Sequence, residues 1–224
     1  GGSTDGTVEK LNFYSASNPK LRIMHNAKKT VPSGLNLAIN ATSSKYVVRL
    51  DAHSTYPPEY ILNLYEVIER TGAANVGACI MTKTKDNGIQ ARAIRTVLAS
   101  SFGVGDSDFR IGSKEEKKVT TVPFGFFRRQ SLVDAGLYDE RLLRNQDIEL
   151  NGRLINDGGD VILSPSTSCV YWARGTFKEF WRNNFSNGLW NIITVTLTKG
   201  RSGLTLRHFV PLLFSLSVIS ISIG

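Results

Sequence analysis

Asp51 and His53 lie two residues apart at the end of a run rich in β-branched and aromatic residues, Tyr46, Val47 and Val48. Residues 46–50 read as a short strand entered from a turn of Ser43, Ser44 and Lys45. Strand side chains alternate between faces, so Asp51 and His53 are expected to point the same way from the strand's carboxyl end, one oxygen and one nitrogen ligand for a divalent cation. The same spacing also describes a loop carboxylate beside a surface imidazole, and the residues alone leave both readings open. Asp147 follows Gln146 at the start of a helical pattern (Ile148, Leu150, Leu154, Ile155), where the helix dipole favours an ionised carboxylate. Arg174 comes directly after a strand-like run ending at Trp172. A cation there neutralises a diphosphate or phospholipid group, or else makes an exposed salt bridge. The opening run, residues 1–7 (GGSTDGT), is rich in glycine and small polar residues and leads into Val8, Leu11 and Tyr14 at helical spacing. It brings backbone N–H groups to a phosphate or nucleoside, or simply starts a helix.

These groups need a frame. Residues 21–25 read as a strand, and Val31, Pro32, Leu35, Ala38, Ile39 and Ala41 as a helix leading to the strand before Asp51. Pro57 and Pro58 open a helix with an Ile61, Leu64, Tyr65, Ile68 stripe that ends near Gly72. Residues 76–81 read as a strand, 90–101 as a helix, 102–118 as a long loop and 121–127 as a strand in which Gly125 marks a close backbone approach. A short helix follows at 131–135, then the Asp147 helix and two strands at 161–163 and 169–172. Alternating helices and strands imply parallel strands with right-handed crossovers, whose ligands sit at the strands' carboxyl ends.

Composition fits this: 41% hydrophobic and 21% charged residues suit one globular α/β domain. With 27 Lys+Arg against 19 Asp+Glu the net charge is +8, which suits an anionic partner. Cys79 and Cys169 sit in apolar runs without a CxxC partner and read as buried thiols. The chain opens without Met and ends inside an apolar run, so it is read as a piece of a longer polypeptide.

The run 1–7, the Gly34, Leu35, Asn36 helix and the segment 49–57 (RLDAHSTYP) resemble the nucleotide-sugar half of family 2 glycosyltransferases of the GT-A fold, bacterial succinoglycan-type exopolysaccharide glucosyltransferases above all. The resemblance implies a mixed α/β sheet flanked by helices. In that family an Asp-x-Asp binds the metal that holds the donor's diphosphate. Here His53 stands at the second carboxylate, so Asp51 and His53 are expected to hold Mn²⁺ or Mg²⁺. Gly2, Ser3, Gly34, Asp51, Ala52 and Arg174 are expected to bind the donor. The family's first strand and uracil-contacting Asp are expected upstream of Gly1. Its turn after a Gly-Phe-Phe-Arg-Arg-like segment carries a Glu-Asp pair whose Asp is the catalytic base. Gln146 and Asp147 occupy that place, with the Glu missing.

Phe177, Trp181 and Phe185 fall at i, i+4 and i+8 with Lys178 and Arg182 beside them, as in a core face or a helix lying on a membrane interface. Processive family members carry Gln-x-x-Arg-Trp here, and residues 186–190 keep only Trp190. Residues 209–223 are apolar but shorter than the about 20 residues that span a bilayer, so they read as the start of a transmembrane helix or as a buried core helix. Lys199, Arg201 and Arg207 before them place the globular part on the cytoplasmic side. The expected organisation is a GT-A catalytic domain over 1–175, an interfacial helical region over 176–206 and a membrane segment from 207. The expected reaction is inverting transfer of one sugar, glucose from a UDP donor, to a lipid-linked saccharide in exopolysaccharide synthesis. A membrane-tethered nucleotide- or glycan-binding module without turnover is the alternative. No nucleic-acid motif accompanies the positive charge.

Overall fold

The computed structural model describes residues 2–105, 107–199 and 203–212. Its centre is a mixed sheet. Strand β1 (Tyr46–Val48) lies at one end, followed by β5 (Phe126–Arg128), β3 (Asn75–Thr84), β6 (Val161–Ala173) and β2 (Ser54–Thr55), and β4 (Lys117–Lys118) pairs β6 beside its start. Only β3 and β6 are parallel neighbours, and β5 runs antiparallel between β1 and β3. The mixed sheet that the resemblance implied is thereby found, and the parallel strands that helix–strand alternation alone implied are limited to β3 and β6. β3 and β6 hold the molecule's longest ladder, broken where Ala78 pairs Ser164 but Cys79 pairs Ser168. Pro165 falls in this bulge, where its missing N–H takes no ladder bond. The ladder resumes at once, so the two strands expected at 161–163 and 169–172 are one.

Alternation along the strands separates two apolar layers. Phe126 and Val76 pack against Tyr60, Leu64, Val67 and Ile68 of α3 (Tyr60–Thr71), on the stripe read from the sequence. Phe127 and Ala74 face the other way, toward Ile39 of α2 (Val31–Asn40), Leu132 of α7 (Arg129–Asp134) and Leu150 and Leu154 of α8 (Gln146–Asn156). The adjacent arginines complete both layers. Arg128 Nη2 donates to the Ile68 carbonyl (2.7 Å), which also accepts from the Gly72 N–H that ends α3, and Arg129 Nε donates to the Ile39 carbonyl (3.2 Å) in the last turn of α2. A Cβ on Gly125 would lie 2.4 Å from Asn75 Oδ1, which is the close approach its place in the sequence suggested.

Three expected elements differ. Residues 21–25 pair with no strand, because their β-rich composition finds no neighbour in the sheet. The segment 102–118 is not one open loop: it holds α5 (Ser101–Val104), α6 (Asp108–Ile111) and β4, after α4 (Ile89–Leu98). Of 121–127 only the last two residues join β5, since Phe124 turns the chain with φ 47°.

Helix α1 (Thr7–Ser17) buries none of its residues. Helix α9 (Phe177–Thr198) is opened by Thr176, whose side chain accepts from the Glu179 N–H. Among the described residues no helix is long and apolar enough to cross a membrane, and most of the expected membrane segment, residues 213–224, lies outside them.

Candidate active site

The turn after β1 fixes Asp51. Arg49 N–H donates to the Gly125 carbonyl (3.0 Å), and the Arg49 guanidinium folds back onto Asp51, Nε to Oδ1 at 2.7 Å and Nη2 to Oδ2 at 2.9 Å. This fork on a carboxylate is the strong, orientation-fixing form of ion pair, and the side chains are only 15% and 20% exposed. The Asp51 N–H donates to the Tyr56 hydroxyl (2.8 Å), and the Ser54 N–H donates to the Asp51 carbonyl (3.1 Å).

His53 lies exposed in the same turn, its ring edge-on to Tyr171 (5.3 Å between centroids) and Phe124 (6.3 Å), its carbonyl accepting from the Trp172 N–H. Asp51 and His53 therefore do not alternate along a strand: β1 has ended at Val48, and the turn directs each toward different neighbours. Ala52 is exposed between them.

Asp147 sits in the first turn of α8, as its place in the sequence implied. The turn before it is unusual: Asn145 has φ 60°, and the turn is held from outside by α9. Arg144 Nη1 donates to Asn187 Oδ1 (2.6 Å) and Asn183 Oδ1 (3.1 Å), and Asn145 Nδ2 to Asn191 Oδ1 (3.0 Å) and Thr194 Oγ1 (3.3 Å). Among the described residues the Asp147 carboxylate accepts only from the Ile148 N–H (2.9 Å). Its acidic neighbours are committed elsewhere. Buried Glu149 takes Arg153 on both oxygens, each at 2.7 Å, and Asp139 takes Arg141 at 2.6 Å, which with its other hydrogen bonds holds that carboxyl below its usual range.

The two halves meet at Arg49. Burial would lower this guanidinium's pKa, but the hydrogen bond and charge of Asp51, then the charges of Asp147 and Tyr138, outweigh it and hold the pKa above its ordinary value. Buried Tyr138 reports the same cluster. Burial raises its phenol's pKa, Arg49 opposes the rise, and Asp147 and Asp51 add to it. Asp51 pairs with Arg49 directly, and Asp147, far from it in sequence, acts on the same guanidinium through its charge without pairing with it.

The remaining residues assigned to the donor divide. Gly2, at φ 87°, lies against Lys29, whose Cε would be 3.3 Å from a Cβ, and Ser3 is exposed beside it. Gly34 leaves room for Asn26, which a Cβ would meet at 2.9 Å, and Asn26 Nδ2 donates to the Thr30 carbonyl (2.8 Å). The same helix reaches the central cluster. Asn36 Nδ2 donates to the Tyr138 carbonyl and Tyr138 N–H to Asn36 Oδ1, both at 2.9 Å. Arg174 is exposed just beyond β6 and makes no salt bridge among the described residues, so it is no partner of a surface carboxylate. Sequence reasoning missed Arg49, Tyr138 and Lys29. Arg49 alone had a signal, an arginine two residues before the key carboxylate.

Among the described residues no three His, Cys, Asp or Glu side chains gather as a metal cage. Asp51 and His53 offer one carboxylate and one imidazole, donors chemically suited to a divalent cation, but Arg49 holds both Asp51 oxygens and the His53 ring stands against Tyr171 and Phe124, so an ion shared by the two requires the Arg49 fork to open. A cavity of about 1260 Å³ elsewhere on the molecule contains none of these groups. It is lined by Asp134, Asp139, Arg141, Glu149, Arg153 and Lys199 among others, and Arg141 and Arg153 already neutralise its Asp139 and Glu149. The thiols are inert: burial raises that of Cys79 and pushes that of Cys169 up to about 11.

The sequence profile described as Glycosyl transferase family 2 matches residues 1–136. The succinoglycan biosynthesis protein ExoA of Rhizobium meliloti is 29% identical over 214 residues, covering 95% of this chain. The chain spans 63% of that relative's length. A mannosyltransferase, PcManGT from Pyrobaculum calidifontis, solved with GDP-Man and Mn²⁺, aligns with a TM-score of 0.60 at 16% identity, over 95% of this chain and 56% of that one. The crystal structure of GalNAc-T7 with UDP, GalNAc and Mn²⁺ aligns at 0.57 and 13% identity, over 78% of this chain and 36% of that one. At such identities the likeness is one of fold: a mixed sheet with flanking helices, similar to GT-A glycosyltransferases.

Proposed function

Because this chain belongs to glycosyl transferase family 2, we propose that it transfers a single sugar, glucose from a UDP donor, with inversion, to a lipid-linked saccharide during exopolysaccharide synthesis. The observation that carries this reading is the contrast between the two carboxylates: Asp51 is fixed by Arg49 in the turn after β1, while Asp147, at the start of α8, takes only the Ile148 N–H among the described residues and keeps lone pairs open to a proton. Asp147 takes the proton of the acceptor hydroxyl as that oxygen attacks the anomeric carbon from the face opposite the leaving diphosphate. No covalent intermediate is required. Asp51 and His53 would hold Mn²⁺ or Mg²⁺, which would supply positive charge where the leaving diphosphate gains negative charge. Gly2, Ser3, Gly34, Ala52 and Arg174 complete the donor's surroundings. The Mn²⁺ in the two fold relatives supports a divalent cofactor here.

Helix α9 supports a membrane setting. Its polar edge, Asn183, Asn187, Asn191 and Thr194, faces the protein, while Phe177, Trp181, Phe185, Leu189 and Ile192 face outward, with Trp181 65% and Phe185 63% exposed. Among the described residues nothing covers this apolar side, and a bilayer interface edged by Lys178 and Arg182 would do so. Basic residues at 199, 201 and 207, by the positive-inside pattern, support a reading with the domain on the cytoplasmic face.

The test is a donor panel with the full-length protein and a membrane extract as acceptor source. UDP release from UDP-glucose, lost on chelation, is the expected result. Tight UDP binding without turnover of any donor leaves the binding module instead, a reading that the buried, non-basic Gln146 in the family's Glu position favours. Sedimentation with membranes that survives a high-salt wash is expected of the apolar face, and full release by salt contradicts it.

A further inference from the structure

A buried arginine lies beyond His53, over the row of residues that crosses the end of the sheet. Ser54 of β2, Tyr171 of β6 and Thr82 of β3 are register partners, so their side chains stand on one face. The Tyr171 ring has two neighbours that could carry positive charge: His53 edge-on at 5.3 Å, and the Arg110 guanidinium at 5.3 Å from the ring centroid. Arg110 belongs to α6 and also lies 5.5 Å from the Phe109 ring. No carboxylate pairs with it among the described residues, for its neighbour Asp108 is taken by Lys117 (2.6 Å). Burial pushes its pKa down, yet an arginine stays charged.

Three polar atoms of this one neighbourhood are buried without a hydrogen-bond partner: Ser54 Oγ, Thr82 Oγ1 and Arg110 Nη1. Each such orphan costs stability, and an unpaired charge costs most. Two hydroxyls and one guanidinium nitrogen without a partner, beside the Tyr171 ring, are the complement of an oxyanion. We propose that Arg110, with Ser54 and Thr82, forms a phosphate-binding subsite that extends the Asp51 and His53 site toward α6. The proposal rests on the nucleotide-sugar reading for its location and names a residue group that reading does not use. The phosphate is the donor's diphosphate or a phosphate on the lipid acceptor. Sharing Tyr171 with His53 favours the donor.

The full-length protein and its Arg110→Met and Arg110→Lys variants test this in two arms. Calorimetry with UDP and Mn²⁺ reads the donor arm. Flotation with phosphatidic acid vesicles against phosphatidylcholine vesicles reads the lipid arm. In one arm Arg110→Met is expected to weaken binding by roughly tenfold or more, with partial recovery in Arg110→Lys. Thermal unfolding guards against trivial loss of fold. Removing an unpaired buried cation is expected to leave Tm unchanged or raise it, whereas an arginine kept for structure would lower it. Binding unchanged within twofold in both arms overturns the subsite, as does wild type that binds neither probe. Wild type that binds UDP through Arg110 but turns over no donor keeps the subsite and sinks only the transferase reading.

Discussion

Asp51 and Asp147 carry the same functional group beside the same guanidinium, and the chain holds them in opposite ways. Asp51 sits in a tight turn with both oxygens forked by Arg49, its N–H satisfied by Tyr56 and its carbonyl by Ser54. Asp147 stands at a helix start where the backbone is fixed by α9 but the carboxylate takes only the neighbouring N–H. A carboxylate held on both oxygens is fixed in orientation, and it takes a ligand only where the Arg49 fork gives up an oxygen. A carboxylate left with open lone pairs, in the field of a cation it does not pair with, is placed to accept a proton. The comparison teaches that position and charge are supplied by different elements: the turn orients the first group directly, and a helix behind the second orients it through Asn145.

The largest expected effect breaks the comparison on one side. Asp147→Asn keeps the helix start but removes the proton acceptor, so turnover is expected to fall by about 10²–10⁴-fold in a steady-state assay. Arg49→Gln acts on both sides at once. It leaves Asp51 without its ion pair in a largely buried place and is expected to lower stability by about 1–3 kcal/mol in chemical denaturation, with donor binding weakened as well. Asn191→Ala sharpens the difference, since Asn191 accepts from Asn145 and donates to the His208 carbonyl at 2.9 Å. Turnover should fall several-fold, about 1 kcal/mol in barrier, while UDP affinity holds. Equal loss in both would tie α9 to the donor side. The smallest effect belongs to His53→Asp, which should keep activity and move the metal preference from Mn²⁺ toward Mg²⁺ in a metal-titrated assay.

Local signals carried much of this. The Ile61, Leu64, Ile68 stripe of α3, the start of α8 at Gln146 and the room left at Gly125 were legible because helix period and backbone crowding act over a few residues. Strand membership was not, because it depends on a neighbour. Residues 21–25 have strand composition without a partner, and the bulge at Pro165 hid the unity of β6. The reasoning that joined Asp51 to His53 used strand alternation where the chain had already turned. Arg49 was overlooked because its value lies in reaching Asp51 and Asp147 together, a tertiary fact. The inward Asn183, Asn187 and Asn191 edge of α9 was obscured by the louder aromatic stripe on its other side.

The central claim is that the two carboxylates divide the work, one binding and one proton transfer. Calorimetric titration of UDP and Mn²⁺ into Asp51→Ala and Asp147→Asn, beside single-turnover rates of the same variants, tests it most directly. The account predicts that Asp51→Ala loses UDP binding, and that Asp147→Asn binds UDP within about twofold of wild type while its chemical step collapses. An Asp147→Asn protein that loses donor affinity in step with rate, or that transfers sugar at the wild-type rate, would contradict it.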